Sequence, residues 1–219
     1  MSMTWRSYRT FATRRYCFIE GLIIPIALMA FHYALTGLIG PINIINVSVM
    51  HLYLLAYGDY VTFNGVTGKE YCFGFLRCSS RGEKCLMRAV AVDQVMRLIM
   101  VVFTNVGCGV VAFLMDPAAF TTEYILLHIT MVIWVYAGVT TTLLLARYLT
   151  TLLVYGAVAG LLVTVFACAI SVGIGLLWTM GVVSLTPWIL GGLLLSVVSV
   201  VASVYLIRRN YLRSFLEVS

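Results

Sequence analysis

Glu20, His32, His51, Arg97, Asn105 and His128 are among the polar side chains that fall inside apolar stretches, where a polar group is costly. An ionisable residue in a hydrocarbon setting is a functional suspect by default, because burying its charge is expensive. Glu20 and Arg97 each lie about one turn into their apolar stretch. They can pair across a bundle, or each can snorkel to the nearby interface. The three histidines lie deeper, with Asn43, Asn46 and Asn105. A chain of such groups can relay protons or line a polar route. The same neutral groups can bridge helices through hydrogen bonds worth about 1 kcal/mol each, and this structural use is the expectation. No stretch carries a run of acids that would bind a cation.

A second constellation is YCFGFLRCSSRGEKC, Tyr71 to Cys85, which holds three of the six cysteines. A structural zinc site needs four ligands. Cys72, Cys78 and Cys85 contain no CxxC pair, and no histidine lies in the segment. No metal and no cofactor is therefore expected. In a cytosolic loop thiols stay reduced, which disfavours disulfides. Two readings remain: ordinary reduced cysteines, or reversible palmitoylation, which suits juxtamembrane cysteines beside basic residues. Arg77, Arg81, Lys84 and Arg88 supply that basic setting, and the last three share a helical face by their spacing. Such a face suits anionic lipid headgroups.

Small residues form the third pattern. Gly156 and Gly160 make a GxxxG, Gly173 and Gly175 extend it, and Gly191-Gly192 begins a similar run with Ser196, Ser199 and Ser203. Small residues let helix backbones approach closely in lipid. They serve packing inside one bundle or a face for a partner's helix, and internal packing is the expectation. Asn46-Val47-Ser48 is a glycosylation sequon. It lies too close to the membrane to be used. The chain has no HExxH, GxSxG, P-loop or dinucleotide fingerprint, so a non-enzymatic role is expected.

The elements that must position these groups are membrane spans. The chain is 62% hydrophobic and only 10% charged, against roughly 25% charged in soluble domains. Lipid must be the solvent for much of it. The net charge of +6 does not imply nucleic acid, because the basic residues flank apolar spans rather than forming a solvent-facing surface. One membrane domain over 1–219 is expected, all-α, with six transmembrane helices and seven as the alternative. The six are Cys17–Leu38, Ile42–Tyr57, Asp93–Met115, Thr122–Ala146, Thr150–Met180 and Pro187–Ile207. The turn at Arg147 is the weakest boundary, having no Gly or Pro. Between the second and third spans lies a polar loop, 58–92. Its Asn64-Gly65 pair suits a small β-hairpin. Ser80-x-x-Glu83 reads as a capping box ahead of a helix that begins near Arg81 and enters span three. That helix either projects from the membrane or bends near Val92.

With six spans, all fourteen Lys and Arg fall on one side: the N-terminus 1–16, the loop 58–92, Arg97, Arg147 and the tail 208–219. Basic residues near spans accumulate on the cytosolic side, so both termini are expected there. The first functional expectation is a protein that acts through contacts with lipid and with other membrane proteins or copies of itself, in assembly, trafficking or membrane organisation. The alternative is a small channel or transporter, with His32, His51, Asn105 and His128 lining the route.

Overall fold

The structure is a computed structural model and describes residues 3–12, 14–59, 79, 81–149, 152–181 and 184–209. Every regular element among the described residues is helical. Helix α1 is Met3–Phe11. Helix α2, Arg14–Phe18, leads through a π-helical turn, Ile19–Ile23, into α3, Ile24–Ile39. The remaining helices are α4 (Ile44–Asp59), α5 (Gly82–Met115), α6 (Thr122–Leu149), α7 (Leu152–Cys168), α8 (Leu177–Thr179) and α9 (Leu185–Arg209). A second π-helical segment, Ala169–Leu176, joins α7 to α8.

Five helical segments are long and apolar enough to cross a bilayer: Arg15–Ile39, Gly82–Met115, Thr122–Leu145, Gly156–Leu176 and Leu185–Leu206. By length and composition they fit a multi-pass integral membrane protein. The expected second span forms α4, whose 16 residues reach only ~24 Å at 1.5 Å per residue. The hydrocarbon core is ~30 Å thick, so length alone supports five crossings and not six. Among the described residues between Thr121 and Arg209 lie three long apolar segments rather than the four that a seven-span chain requires. The hairpin expected at Asn64-Gly65 lies outside the described residues.

Sequence punctuation accounts for most of the helix ends. Gly40 closes α3 with a φ of 83° and donates to Thr36, a conformation that glycine adopts without strain. Asp116 ends α5, and its Oδ1 accepts from the Ala118 N–H at 3.1 Å in the turn that Pro117 begins. Helix α5 starts after Arg81, as the sequence suggests. However, Ser79 Oγ accepts from the Arg81 N–H at 3.3 Å, and Ser80 lies outside the described residues. The helix runs unbroken through Val92 for 34 residues, ~51 Å, which is longer than a ~30 Å hydrocarbon core.

Pro25 explains the first π-turn. Proline has no N–H for the carbonyl four residues back, and its ring crowds that carbonyl. The ladder widens just before it, with the Ile24 N–H donating to the Ile19 carbonyl, five residues back.

The basic N-terminal segment is helical over Met3–Phe11. Helix α1 packs against α5. Tyr8, Phe11 and Ala12 are buried, as are Leu86, Ala89 and Val90 at the start of α5. Helix α6 is the most enclosed element, touching α4, α5, α7 and α9. Its residues Leu127, Met131, Val135, Val139 and Leu143 form an i, i+4 ladder with no exposure. The outer surface is the inverse of a soluble protein's. Leu22, Ile26, Ile99, Val106, Leu161, Leu194 and Val201 are all exposed, whereas charged and amide side chains are buried among the helices. That pattern belongs to lipid as solvent.

Candidate functional site: a buried polar core in two tiers

Asp93 and Arg97 lie one turn apart on α5, both buried, and form an ion pair through Oδ2 and Nη2. Gln94 is buried beside them, and its Oε1 accepts from the Tyr136 hydroxyl of α6 at 3.4 Å. Glu20 comes from the π-turn and is only 5% exposed. It lies within electrostatic reach of Arg97 and Asp93. Its carboxyl group stands against Gly58 of α4, where a Cβ would collide with it and would meet the Tyr16 hydroxyl at 2.9 Å. Tyr8 of α1 closes this tier. Burial first, and the Asp93 charge second, push its phenol well above the usual tyrosine range. The neighbours of this acid–base cluster thus come from five elements. Glu20 Oε2 has no hydrogen-bond partner among the described residues.

The second tier is about 12 Å further along α5, eight residues past Arg97 at 1.5 Å each. Here the His128 imidazole of α6 lies beside the Asn105 backbone, and His32 of α3 is within electrostatic reach. The His128 ring meets Tyr124 edge-on at 4.5 Å. Asn43 Nδ2 donates to the His32 backbone carbonyl at 3.4 Å, and Asn105 Nδ2 donates to the Val101 carbonyl at 3.1 Å. Several polar atoms of this tier have no partner among the described residues: both ring nitrogens of His32, Nε2 of His128, Oδ1 of Asn105 and the Tyr124 hydroxyl.

His51 lies on α4, fully buried, and neither ring nitrogen has a partner among the described residues. It is eight residues from Asn43 and seven from Gly58. It therefore lies between those two residues along the chain. Ser48, one turn before it, is buried with an unpartnered hydroxyl as well.

The structure brings together three of the four residues expected along a polar route: His32, Asn105 and His128. His51 lies on α4, with no contact to the other three shown among the described residues. Among the described residues no histidine side chain makes a hydrogen bond to another helix; Asn43 reaches the His32 carbonyl of α3 instead. Glu20 and Arg97 do share one tier, but the carboxylate that pairs with Arg97 is Asp93. The sequence reading missed Asp93, Gln94, Tyr8, Tyr136, Tyr124 and Gly58. Asp93 carried a readable signal, the i, i+4 spacing of an acid and a base. The tyrosines and Gly58 carried none, because distant elements bring them in.

The other expected sites divide. Arg81 and Lys84 are exposed and Arg88 is half-buried at the start of α5. Cys85 is a half-buried free thiol. Arg77, Cys72 and Cys78 lie outside the described residues. No three metal-ligating side chains cluster among the described residues.

The glycines split evenly. Gly173 is covered by the Trp188 ring, Gly175 by Ile45, and Gly192 by Ile133 and Trp134. Gly156, Gly160 and Gly191 are exposed, with nothing within 4 Å of where a Cβ would stand. The chain matches no protein-family model, no curated protein and no solved structure.

Proposed function

We propose that this is a multi-pass membrane protein whose buried polar core passes protons or a small polar solute between the two faces of the bilayer. One observation carries the reading. Polar atoms without hydrogen-bond partners among the described residues occur in both tiers and at His51. Leaving a buried polar group unsatisfied costs about 1–3 kcal/mol, so a purely structural core would be expected to pair such groups or omit them. Groups that instead exchange hydrogen bonds with a moving proton, water or solute leave capacity open. The acid–base tier with Glu20, Asp93 and Arg97 forms one end, and the His32–Asn105–His128 tier forms the other. In this reading α4 counts as a sixth, thinner crossing, which local bilayer thinning accommodates. Basic termini and loop then lie together on the cytosolic side.

The test uses purified full-length protein in liposomes with an entrapped pH indicator and an imposed potential. Flux should fall at least about tenfold in His51→Ala and Glu20→Gln, while vesicles without protein stay silent. Silent proteoliposomes, or flux indifferent to both substitutions, would sink the proposal.

A second reading is favoured by a separate observation: docking of a partner's transmembrane helix. Gly156 and Gly160 lie open in a groove of about 280 Å³ walled by Tyr53, Ala56 and Tyr57 of α4. Exposed small residues at this spacing are what a close helix crossing uses. Crosslinking from Gly156→Cys in native membranes would reveal such a partner or a second copy. A clean absence of adducts would remove this reading and leave the transport reading standing.

A further inference from the structure

The described charges of the acid–base tier do not balance. Arg97 and Asp93 neutralise each other through Nη2 and Oδ2. Glu20 is then one carboxyl group in excess. It is 5% exposed, and the charges within its electrostatic reach on α5 are that same pair. Whatever passes this tier meets one acid beside one closed ion pair.

That arrangement selects by charge. An anion is repelled by the carboxyl groups and finds the Arg97 charge already balanced by Asp93. A metal cation is repelled by Arg97, and hard cations take several oxygen ligands at once. No three metal-ligating side chains cluster among the described residues. A proton needs a single oxygen. Glu20 offers one, since its Oε2 has no hydrogen-bond partner among the described residues.

The local fold seats this carboxyl group. Glu20 is the buried residue of the π-turn that Pro25 induces, while Ile19, Leu22 and Ile23 are exposed. Opposite it stands Gly58, within α4 and without a positive φ, so no turn calls for glycine there. Space does. A Cβ at Gly58 would stand 2.7 Å from the Glu20 carboxyl carbon and 2.9 Å from the Tyr16 hydroxyl of α2. Glycine weakens a helix, and here its missing side chain is the room that the acid occupies.

We propose that the species this core passes is the proton, that Glu20 carries it through the acid–base tier, and that Gly58 is the positioning residue that holds the carboxyl group in place. This rests on the transport reading above and narrows it. The carboxylate takes up one proton at Oε2 from one side and releases one proton to the other, so the group ends each passage unchanged.

The experiment uses full-length protein in liposomes, with an entrapped pH indicator or with radiolabelled rubidium, chloride or glycerol. Protons should cross, and the cation, the anion and the neutral solute should not. Gly58→Ala should lower proton flux about 10–100-fold, the effect of displacing a reacting group by about 1 Å. Glu20→Asp shortens the acid by one methylene. Added to Gly58→Ala, it makes room for the new methyl group and should recover most of the flux. A glycine needed only for helix packing would not respond to the length of residue 20. Flux of rubidium, chloride or glycerol in place of protons would overturn this inference and leave the transport reading standing. Vesicles silent to all four would sink the transport reading itself. A double variant no better than Gly58→Ala, whether unfolded or folded and silent, would overturn the seat at Gly58.

Discussion

Gly191 and Gly192 are neighbours on α9 that face opposite environments, so a pair of alanine substitutions isolates one contact. At Gly191 a Cβ would meet nothing within 4 Å. At Gly192 it would stand 2.6 Å from Ile133 Cγ2, 3.0 Å from Trp134 Nε1 and 3.2 Å from Trp134 Cδ1. Neither neighbour yields easily. Ile133 is β-branched and stiff at χ1. Trp134 is tied by its Nε1–H to the Trp188 carbonyl at 2.9 Å, and its ring lies 5.2 Å from the Trp188 ring. Both alanines gain helix propensity, roughly 1 kcal/mol in aqueous hosts, and that gain cancels when the two variants are compared. What remains is overpacking at Gly192 alone, about 1–3 kcal/mol. Gly192→Ala should therefore be less stable than Gly191→Ala by that amount, measured by reversible unfolding in mixed micelles. Adding Ile133→Ala should restore part of the loss at Gly192 and none at Gly191. Equal stability of the two single variants would mean that α9 does not lie on α6 in this register, and the burial of Trp134 and Trp188 would need another explanation.

Breaking the Asp93–Arg97 pair with Arg97→Met should cost about 3–5 kcal/mol by leaving a buried carboxylate uncompensated. Asp93→Asn on top of it should recover most of that in the same assay. Tyr8 should make the seating of α1 sensitive to alkali. Because burial raises its phenol, the stabilisation is complete below the unfolded value near pH ~10 and is lost as pH rises above it. Emission from Trp5, whose ring lies 5.6 Å from Tyr8, should report the release, and Tyr8→Phe should shift the transition upward. Asn46 should carry no glycan on a gel-shift assay, since Ser48 of its sequon is buried within α4. Single-cysteine variants retaining only Cys85 should react with an impermeant thiol reagent only after cells are permeabilised, if the basic loop is cytosolic.

Much of the bundle was legible because lipid imposes a coarse grammar. Long apolar runs must be helical, and Gly40 and Asp116-Pro117 stop them where glycine and proline chemistry says they should. The depth of individual polar residues was legible for the same reason, since depth follows from position along a helix. Partnership was not. Glu20 and Arg97 are candidates for pairing because both lie one turn into their stretches, while the nearer acid on the same helix, Asp93, reads only as the first residue of span three. Tyr136 reaching Gln94 is a contact across 42 positions, and nothing local announces it. Helix α1 escaped notice for a different reason. Its apolar face is only Tyr8, Phe11 and Ala12, too short to stand out from four arginines.

The two π-helical segments have a consequence for how the gene can change. A π-turn is an α-helix holding one residue more than its ladder needs. Removing a single codon within Ile19–Ile23 or Ala169–Leu176 lets the backbone relax to ordinary α spacing and leaves the far end of the span in phase. The same deletion inside the unbroken α5 would turn everything beyond it by ~100° and carry Asn105 out of line with Arg97. In-frame length variation should therefore be absorbed at those two segments and rejected in α5. A library of single-residue deletions scored for membrane expression would map the slack in the chain directly.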